Sequence, residues 1–244
     1  VAAKRGHDVH LFERQPHVGG QLALGSITFY KKELRKLIRF QKKQMERFGV
    51  RCHLNQDVTP DTLKDLSPDV VILATGSTPA YPQIKGIDNA LVISIDDVLN
   101  GHDLPGEKTV VVGGGPTGCE IALHLSESGR RVTIVEMLSK LGSQLESVTR
   151  KMLLRKLEEN RVTFKTDCKL IRVEENGVVI AEKDGKQSVL DADQVVFSIG
   201  NRPDDTLFNQ IKTMGYEIHR IGDCLEPRSA KAAIYEGGVL GRSI

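Results

Sequence analysis

No run of about 18 apolar residues occurs anywhere in the 244-residue sequence, so no segment of it is expected to span a bilayer. Charge of one sign is not in excess: the formal net charge is +2, and no global field draws the chain to nucleic acid or to a membrane surface. The opening VAAKRGHDV lacks an initiator methionine and an apolar core, so it is not expected to be a signal peptide. The four cysteines, Cys52, Cys119, Cys168 and Cys224, form no CxxC and no Cys/His pair at metal-ligand spacing. That indicates neither a zinc site nor a dithiol redox motif, fits a reducing, cytoplasmic compartment, and leaves each cysteine reading as a small buried hydrophobe. The seven histidines show no metal spacing either; His17, beside Gly19-Gly20, reads as a loop histidine. What remains is the composition of an ordinary globular protein of one or two domains, with 39% hydrophobic and 27% charged residues.

What the sequence does have is a short design used twice. GHDVHLFERQPHVGGQL (residues 6–22) and GRRVTIVEMLSKLGSQL (129–145) align without a gap. They share Gly6/Gly129, Val9/Val132, Glu13/Glu136, Gly19/Gly142, Gln21/Gln144 and Leu22/Leu145, at a constant offset of 123 positions.

The second copy is preceded by KTVVVGGGPTGCEIALHLSESG. Thr109–Val112 reads as a buried parallel strand, residues 117–128 as a helix, and Val132–Val135 as the next strand, ended by Glu136. Gly113-x-Gly115-x-x-Gly118, with Pro116 and Thr117 inside it, lies between strand and helix. In a dinucleotide-binding βαβ unit the first glycine allows the tight turn, the second lets backbone approach a pyrophosphate, and the third lets helix pack on strand. The helix N-terminus presents unpaired N–H groups to the diphosphate. Glu136, 18 residues after Gly118, is placed to accept from a ribose diol. Its carboxylate would repel a 2′-phosphate, and Met137 and Leu138 offer no cation, so NADH is preferred to NADPH; a fold-back of Arg130, Arg131 or Lys140 would relax that preference.

The first copy has the strand, Asp8–Phe12, and the acid, Glu13, but the counterparts of Gly113, Gly115 and Gly118 would fall before residue 1. Ala2–Arg5 reads as the last turn of the helix that should follow such a loop, so the sequence is expected to start inside a βαβ unit of a longer polypeptide. A sheet edge left open by an absent strand would also suit pairing with a second copy as a homo-oligomer.

Two Rossmann-like units, one interrupting the other, resemble the two-dinucleotide flavoprotein reductases, in which the first unit binds FAD and the second NAD(P)H. The resemblance implies an α/β fold with FAD segments at 1–106 and 193–244, and an NAD(P)H unit at 107–192. It implies FAD contacts at Glu13, Arg14, Gly20 and Gln21, at Val58 beside the adenine, and at Ala74, Thr75 and Gly76 of VVILATGSTPA. Asp223 of IGDC would hold the ribityl chain, and VVFSIGNRPD (195–204) repeats the ATG-type turn, with Gly200 on the NAD side. Glu120 matches an acid that in this family often faces the flavin–nicotinamide junction; an acid there also simply suits the helix macrodipole. The closing IGDCLEPRSAKAAIYEGGVLGRSI, with FERQPHVGGQL and GGGPTGCEIA, is similar to the C-terminal half of old-yellow-enzyme-related iron–sulfur flavoenzymes such as 2,4-dienoyl-CoA reductase, enoate reductase and trimethylamine dehydrogenase. The expected function is an NADH-dependent FAD oxidoreductase module. It would feed an N-terminal barrel of the parent polypeptide that carries FMN and an iron–sulfur cluster and reduces an activated C=C bond. The alternative is a nucleotide-binding fragment or regulatory module without turnover.

Two further stretches complete the reading. Residues 30–48 pattern as a helix, with Leu34, Leu37, Ile38, Met45 and Phe48 on one stripe, Gly49 as its stop, and cations such as Lys36, Arg39 and Lys43 on a solvated face without the interleaved aromatics that single-stranded nucleic acid would want. Residues 169–173, 177–181 and 188–190 read as a β-meander closing the NAD unit, and Leu104-Pro105-Gly106 as a crossing between units.

Overall fold

Strands buried on both faces are written as near-continuous apolar runs, and three such runs organise the larger of the two cores. The computed structural model describes residues 1–28, 31–101 and 106–244 and divides into two compact units, residues 1–78 with 201–244 and residues 79–200.

The first unit opens with a 3-10 turn (Ala3–Arg5) and continues through β1 (His10–Glu13), α1 (Gly20–Gly25), α2 (Leu34–Arg47), β2 (Arg51–Leu54), α3 (Pro60–Leu66), β3 (Val70–Leu73) and β4 (Ser77–Pro79). The sequence expected a helix from Tyr30 to Phe48; Tyr30 lies outside the described residues, and the helix runs from Leu34. It ends where Gly49 takes φ 70° and the Val50 N–H reaches back to the Met45 carbonyl at 3.0 Å. α3 starts on a reciprocal cap, Thr59 accepting from the Thr62 N–H while the Thr62 hydroxyl accepts from the Thr59 N–H, with Pro60 just inside the helix.

The second unit comprises β5 (Val92–Ile93), α4 (Ile95–Leu99), β6 (Lys108–Val112), α5 (Pro116–Glu127), β7 (Arg131–Val135), α6 (Ser147–Glu159), β8 (Thr163–Lys165), β9 (Cys168–Glu174), β10 (Gly177–Glu182), β11 (Gln187–Asp191) and β12 (Gln194–Phe197). A parallel five-stranded sheet has the order β5-β12-β6-β7-β8, and β9, β10 and β11 form the expected antiparallel meander. Val110, Val111, Ile134, Val195 and Val196 are almost wholly enclosed. α5 covers the sheet with Ile121, Ala122, Leu123 and Leu125, all buried. Each such aliphatic side chain contributes about 1.5–3 kcal/mol on burial, so this sheet–helix core outweighs any single polar contact. The compact unit reaches back to Pro79. Val92 and Ile93 extend the sheet by pairing with Val195 and Val196, and the Lys85 carbonyl accepts from the Val173 N–H at 3.0 Å.

The chain then returns to the first unit as β13 (Asn201–Pro203), α7 (Thr206–Ile211), β14 (Glu217–Arg220), a 3-10 turn (Gly222–Cys224) and α8 (Ala230–Ser243). β1 pairs with β2 and β3 with β14, both in parallel. Leu63, Val71, Leu73, Ile211 and Cys224 form this unit's buried cluster.

One cysteine departs from expectation. Cys119, Cys168 and Cys224 are buried, but Cys52 is exposed, because it sits on a short strand exposed at three of its four positions. Leu104 and Pro105 lie outside the described residues. Among the described residues no helix is long and apolar enough to cross a membrane, and no cluster of three or more His, Cys, Asp or Glu side chains could hold a metal ion.

Candidate functional site

In the second unit, β6 delivers the chain to Gly113, which takes φ 105° under the carbonyl of Ser198. A Cβ at Gly113 would overlap that carbonyl oxygen, and a Cβ at Gly118 would overlap the Gly113 carbonyl itself. Both glycines are therefore required by close backbone approach. Gly115 is different: a Cβ there would meet nothing within 4 Å. Gly115 is the N-cap of a 12-residue helix with Pro116 at its first position, and the space above it is open.

Glu136 follows the last residue of β7 and turns its carboxylate onto the glycine turn. Its Oε2 accepts from the Gly114 N–H at 2.6 Å, and its Oε1 accepts from the Leu138 N–H at 2.8 Å. The acid and the turn are thus in direct contact, and a nucleotide whose diphosphate sat on the turn would bring its ribose to the carboxylate. The two arginines that could have offset this charge are engaged at the other end of the strand. Arg130 donates to the Gly106 carbonyl at 2.8 Å, and Arg131 pairs with Glu107 at 3.0 Å. Cys119, in the first turns of α5, donates its Sγ–H towards the Gly114 carbonyl at 3.4 Å. Burial pushes its thiol up to about 12, so it stays protonated and is no nucleophile. Glu120, Pro116 and Thr117 lie on the same helix, Glu120 half-buried next to Cys119. Gly200, at φ 103°, has open space at its Cβ direction, and its carbonyl accepts from Ala80 N–H at 2.9 Å.

The first unit repeats part of this geometry. Glu13 closes β1, and its Oε1 accepts from the Gln15 N–H at 2.9 Å, the same two-residue step that Glu136 makes to Leu138. Its carbonyl accepts from the Gln56 N–H at 3.0 Å, which brings the segment leading to Val58 beside the acid. Arg14 is exposed after β1, Gly20 and Gln21 are exposed at the start of α1, and Gly20 takes φ 46° with open space around it. Ala74, Thr75 and Gly76 leave β3; the Thr75 hydroxyl donates to the Asp204 carbonyl at 3.0 Å, and the Asp204 N–H donates to the Gly76 carbonyl at 3.1 Å. Asp223 joins them. Its Oδ2 lies 3.4 Å from the Ser77 hydroxyl, and its Oδ1 accepts from the Arg228 N–H at 3.2 Å. The structure thus gathers the ATG turn and the Gly-Asp motif in one place, while Gly76 and Gly20 leave room for a ligand.

Sequence reasoning passed over two participants here. Ser77 accepts from the Asn201 side chain at 2.9 Å; the signal was available, since Ser77 and Asn201 follow the glycines of the two matching turns, ATGS and SIGN.

A fold of two Rossmann-like α/β units, one carrying a glycine cradle closed by a terminal acid, defines a dinucleotide-binding oxidoreductase. Residues 1–237 match the family model described as pyridine nucleotide-disulphide oxidoreductase, and the chain belongs to that family. It is 37% identical over 228 residues to an NADH oxidase of Thermoanaerobacter brockii, covering 91% of this chain and 35% of that protein. It is 31% identical to a cinnamate reductase of Clostridium sporogenes, covering 100% of this chain and 37% of that protein. Among solved structures, a 2-naphthoyl-CoA reductase bound to 2-naphthoyl-CoA superposes with a TM-score of 0.95 at 31% identity, over 100% of this chain and 37% of that one. A histamine dehydrogenase from Rhizobium sp. 4-9 shares the fold, with a TM-score of 0.88 at 19% identity. The chain therefore spans little more than a third of the length of these curated relatives, and the resemblance to the C-terminal half of old-yellow-enzyme-related flavoenzymes is borne out.

Proposed function

We propose that the chain is the NADH:FAD oxidoreductase module of a longer flavoenzyme, with NADH in the second unit and FAD in the first. The observation that carries the reading is the contact between Glu136 and Gly114 at the end of β7. It holds the Glu136 carboxylate against the glycine turn, which supports giving the ribose to the acid and the diphosphate to the turn. In this assignment Gly113, Gly115, Pro116, Thr117 and Gly118 receive the diphosphate, Glu136 accepts from the ribose diol, and Gly200 lines the NAD side. Glu13, Arg14, Gly20, Gln21, Val58, Ala74, Thr75, Gly76 and Asp223 hold FAD. The cofactors supply the redox chemistry, hydride passing from the nicotinamide to the flavin, while this chain's residues bind and orient them. Glu120 is the one acid assigned to the reacting end of the nicotinamide. No side chain of the chain is required as a nucleophile.

The relatives extend the reading beyond this chain. Cinnamate reductase and 2-naphthoyl-CoA reductase name substrates with conjugated unsaturation, and both proteins are far longer than this chain. We assign the end use to reduction of an activated C=C bond in an N-terminal barrel carrying FMN and an iron–sulfur cluster.

Titration of the chain with NADH and with NADPH, followed by nicotinamide fluorescence, tests the assignment. Tighter binding of NADH is expected in the wild type. In Glu136→Gln that preference shrinks about tenfold, one charge-assisted hydrogen bond's worth of discrimination. Equal affinities in the wild type would sink the role given to Glu136.

A further inference from the structure

The glycine turn is held from its other side by a loop whose purpose the nucleotide contacts do not explain. Residues 137–146 form no helix or strand, yet Leu141 and Gly142 within them are buried. A Cβ at Gly114 would overlap Cδ2 of Leu141, and the Gly142 N–H donates to the Gly114 carbonyl at 2.7 Å. Gly114 is therefore clasped on both sides, its N–H by Glu136 and its C=O by Gly142 as well as by the Cys119 thiol. An irregular loop keeps one position only if something regular anchors it. The anchor is Arg150 on α6, whose Nε–H donates to the Leu141 carbonyl at 2.6 Å. α6 is itself fixed at this end, since the Glu146 carboxylate accepts from the N–H groups of Val148 and Thr149, and the Arg150 N–H donates to the Glu146 carbonyl at 2.8 Å.

We propose that Arg150 is a positioning residue of the nucleotide site: it fixes Leu141 and Gly142 against Gly114 and so sets the shape of the turn that receives the diphosphate. The chain of contacts runs from α6 through Arg150, Leu141–Gly142 and Gly114 to Glu136. Within the aligned stretch Gly142 and Leu145 have counterparts in Gly19 and Leu22, and Arg150 lies beyond it on α6. The proposal rests on the reading of this unit as the NADH site.

The test compares Arg150→Met, Arg150→Lys and, as a control on the same helix, Arg155→Met, whose parent side chain makes an exposed pair with Glu159. Two ligands are titrated into each 244-residue chain: NADH, and adenosine, which has the ribose but no diphosphate. Arg150→Met is expected to bind NADH roughly tenfold more weakly, about half of a charged hydrogen bond being recovered by the loosened loop. Its adenosine affinity stays unchanged, Arg150→Lys recovers most of the NADH loss, and Arg155→Met matches the wild type. If Arg150→Met does not fold, Arg150→Gln, too short to reach the Leu141 carbonyl, takes its place. Unchanged NADH affinity, or a parallel loss for adenosine, overturns the proposal. A wild-type chain that binds no NADH overturns the site assignment instead, so the two failures are distinguishable.

Discussion

Gly115 and Gly118 are three residues apart in one motif, and the structure predicts opposite consequences for the same added methyl. In Gly118→Ala the new Cβ overlaps the Gly113 carbonyl oxygen, lies 3.0 Å from the Gly113 carbonyl carbon and comes 3.4 Å from the Ser198 Cβ. Backbone on both sides cannot rotate away, so α5 must lift from β6, over which Ile121 and Leu123 are now fully enclosed. Overpacking of this kind costs about 3 kcal/mol, the upper part of its usual range. For a unit of this size that lowers the melting midpoint by roughly 10 °C. In Gly115→Ala the Cβ meets nothing within 4 Å and φ is −68°, an ordinary value for alanine. Its stability change should be within about 0.5 kcal/mol, as for surface substitutions. The methyl would instead occupy the space over the turn, hold a diphosphate off the α5 amides, and weaken NADH binding about tenfold to a hundredfold. Melts by circular dichroism and NADH titrations on the two variants separate the effects. If Gly115→Ala melts as far down as Gly118→Ala, or binds NADH like the wild type, the reading of the cradle is wrong.

Alkylation with iodoacetamide near neutral pH should label Cys52 well before the other three cysteines, since Cys119, Cys168 and Cys224 are buried and burial pushes the Cys119 thiol up to about 12. Peptide mass spectrometry that finds Cys119 labelled first would contradict the burial of the α5 start. Asp193 accepts from the N–H groups of Lys108 and Glu107 at 2.8 and 2.7 Å, bonds that hold its carboxyl below the usual 3.8. A depressed folded value means that its contribution is complete above 3.8 and is lost as pH falls through the lower value. Asp193→Asn should accordingly melt below the wild type at neutral pH, and the gap should close towards about pH 2; a gap independent of pH would refute the assignment.

How much of this was legible beforehand depended on whether the signal was local. Thr109–Val112, the glycine turn and Val132–Val135 could be read because a doubly buried strand and a tight turn constrain each residue type on the spot, and β6, α5 and β7 fall there within a residue or so. α8 could not be read. Gly237, Gly238 and Gly241 argue against a helix locally, yet Gly241 is buried where a Cβ would approach Val1 within 3.0 Å, so packing overrides propensity. β2 was missed for the opposite reason, since Arg51–Leu54 is exposed at three of four positions and shows no alternation. At the site, the positions of Gly115 and Glu136 were visible in the spacing. The bond from Glu136 to Gly114 and the brace from Arg150 to Leu141 were not, because they join residues whose separation carries no periodic signal.

The most direct test of the central claim is the visible absorption spectrum of the 244-residue chain reconstituted with FAD, recorded anaerobically before and after NADH is added. The account predicts a flavin band that stays with the protein through gel filtration and bleaches on addition of NADH, more readily than with NADPH. A retained flavin that NADH leaves oxidised, while the chain demonstrably binds NADH, would contradict the assignment of the two units to one electron-transfer module.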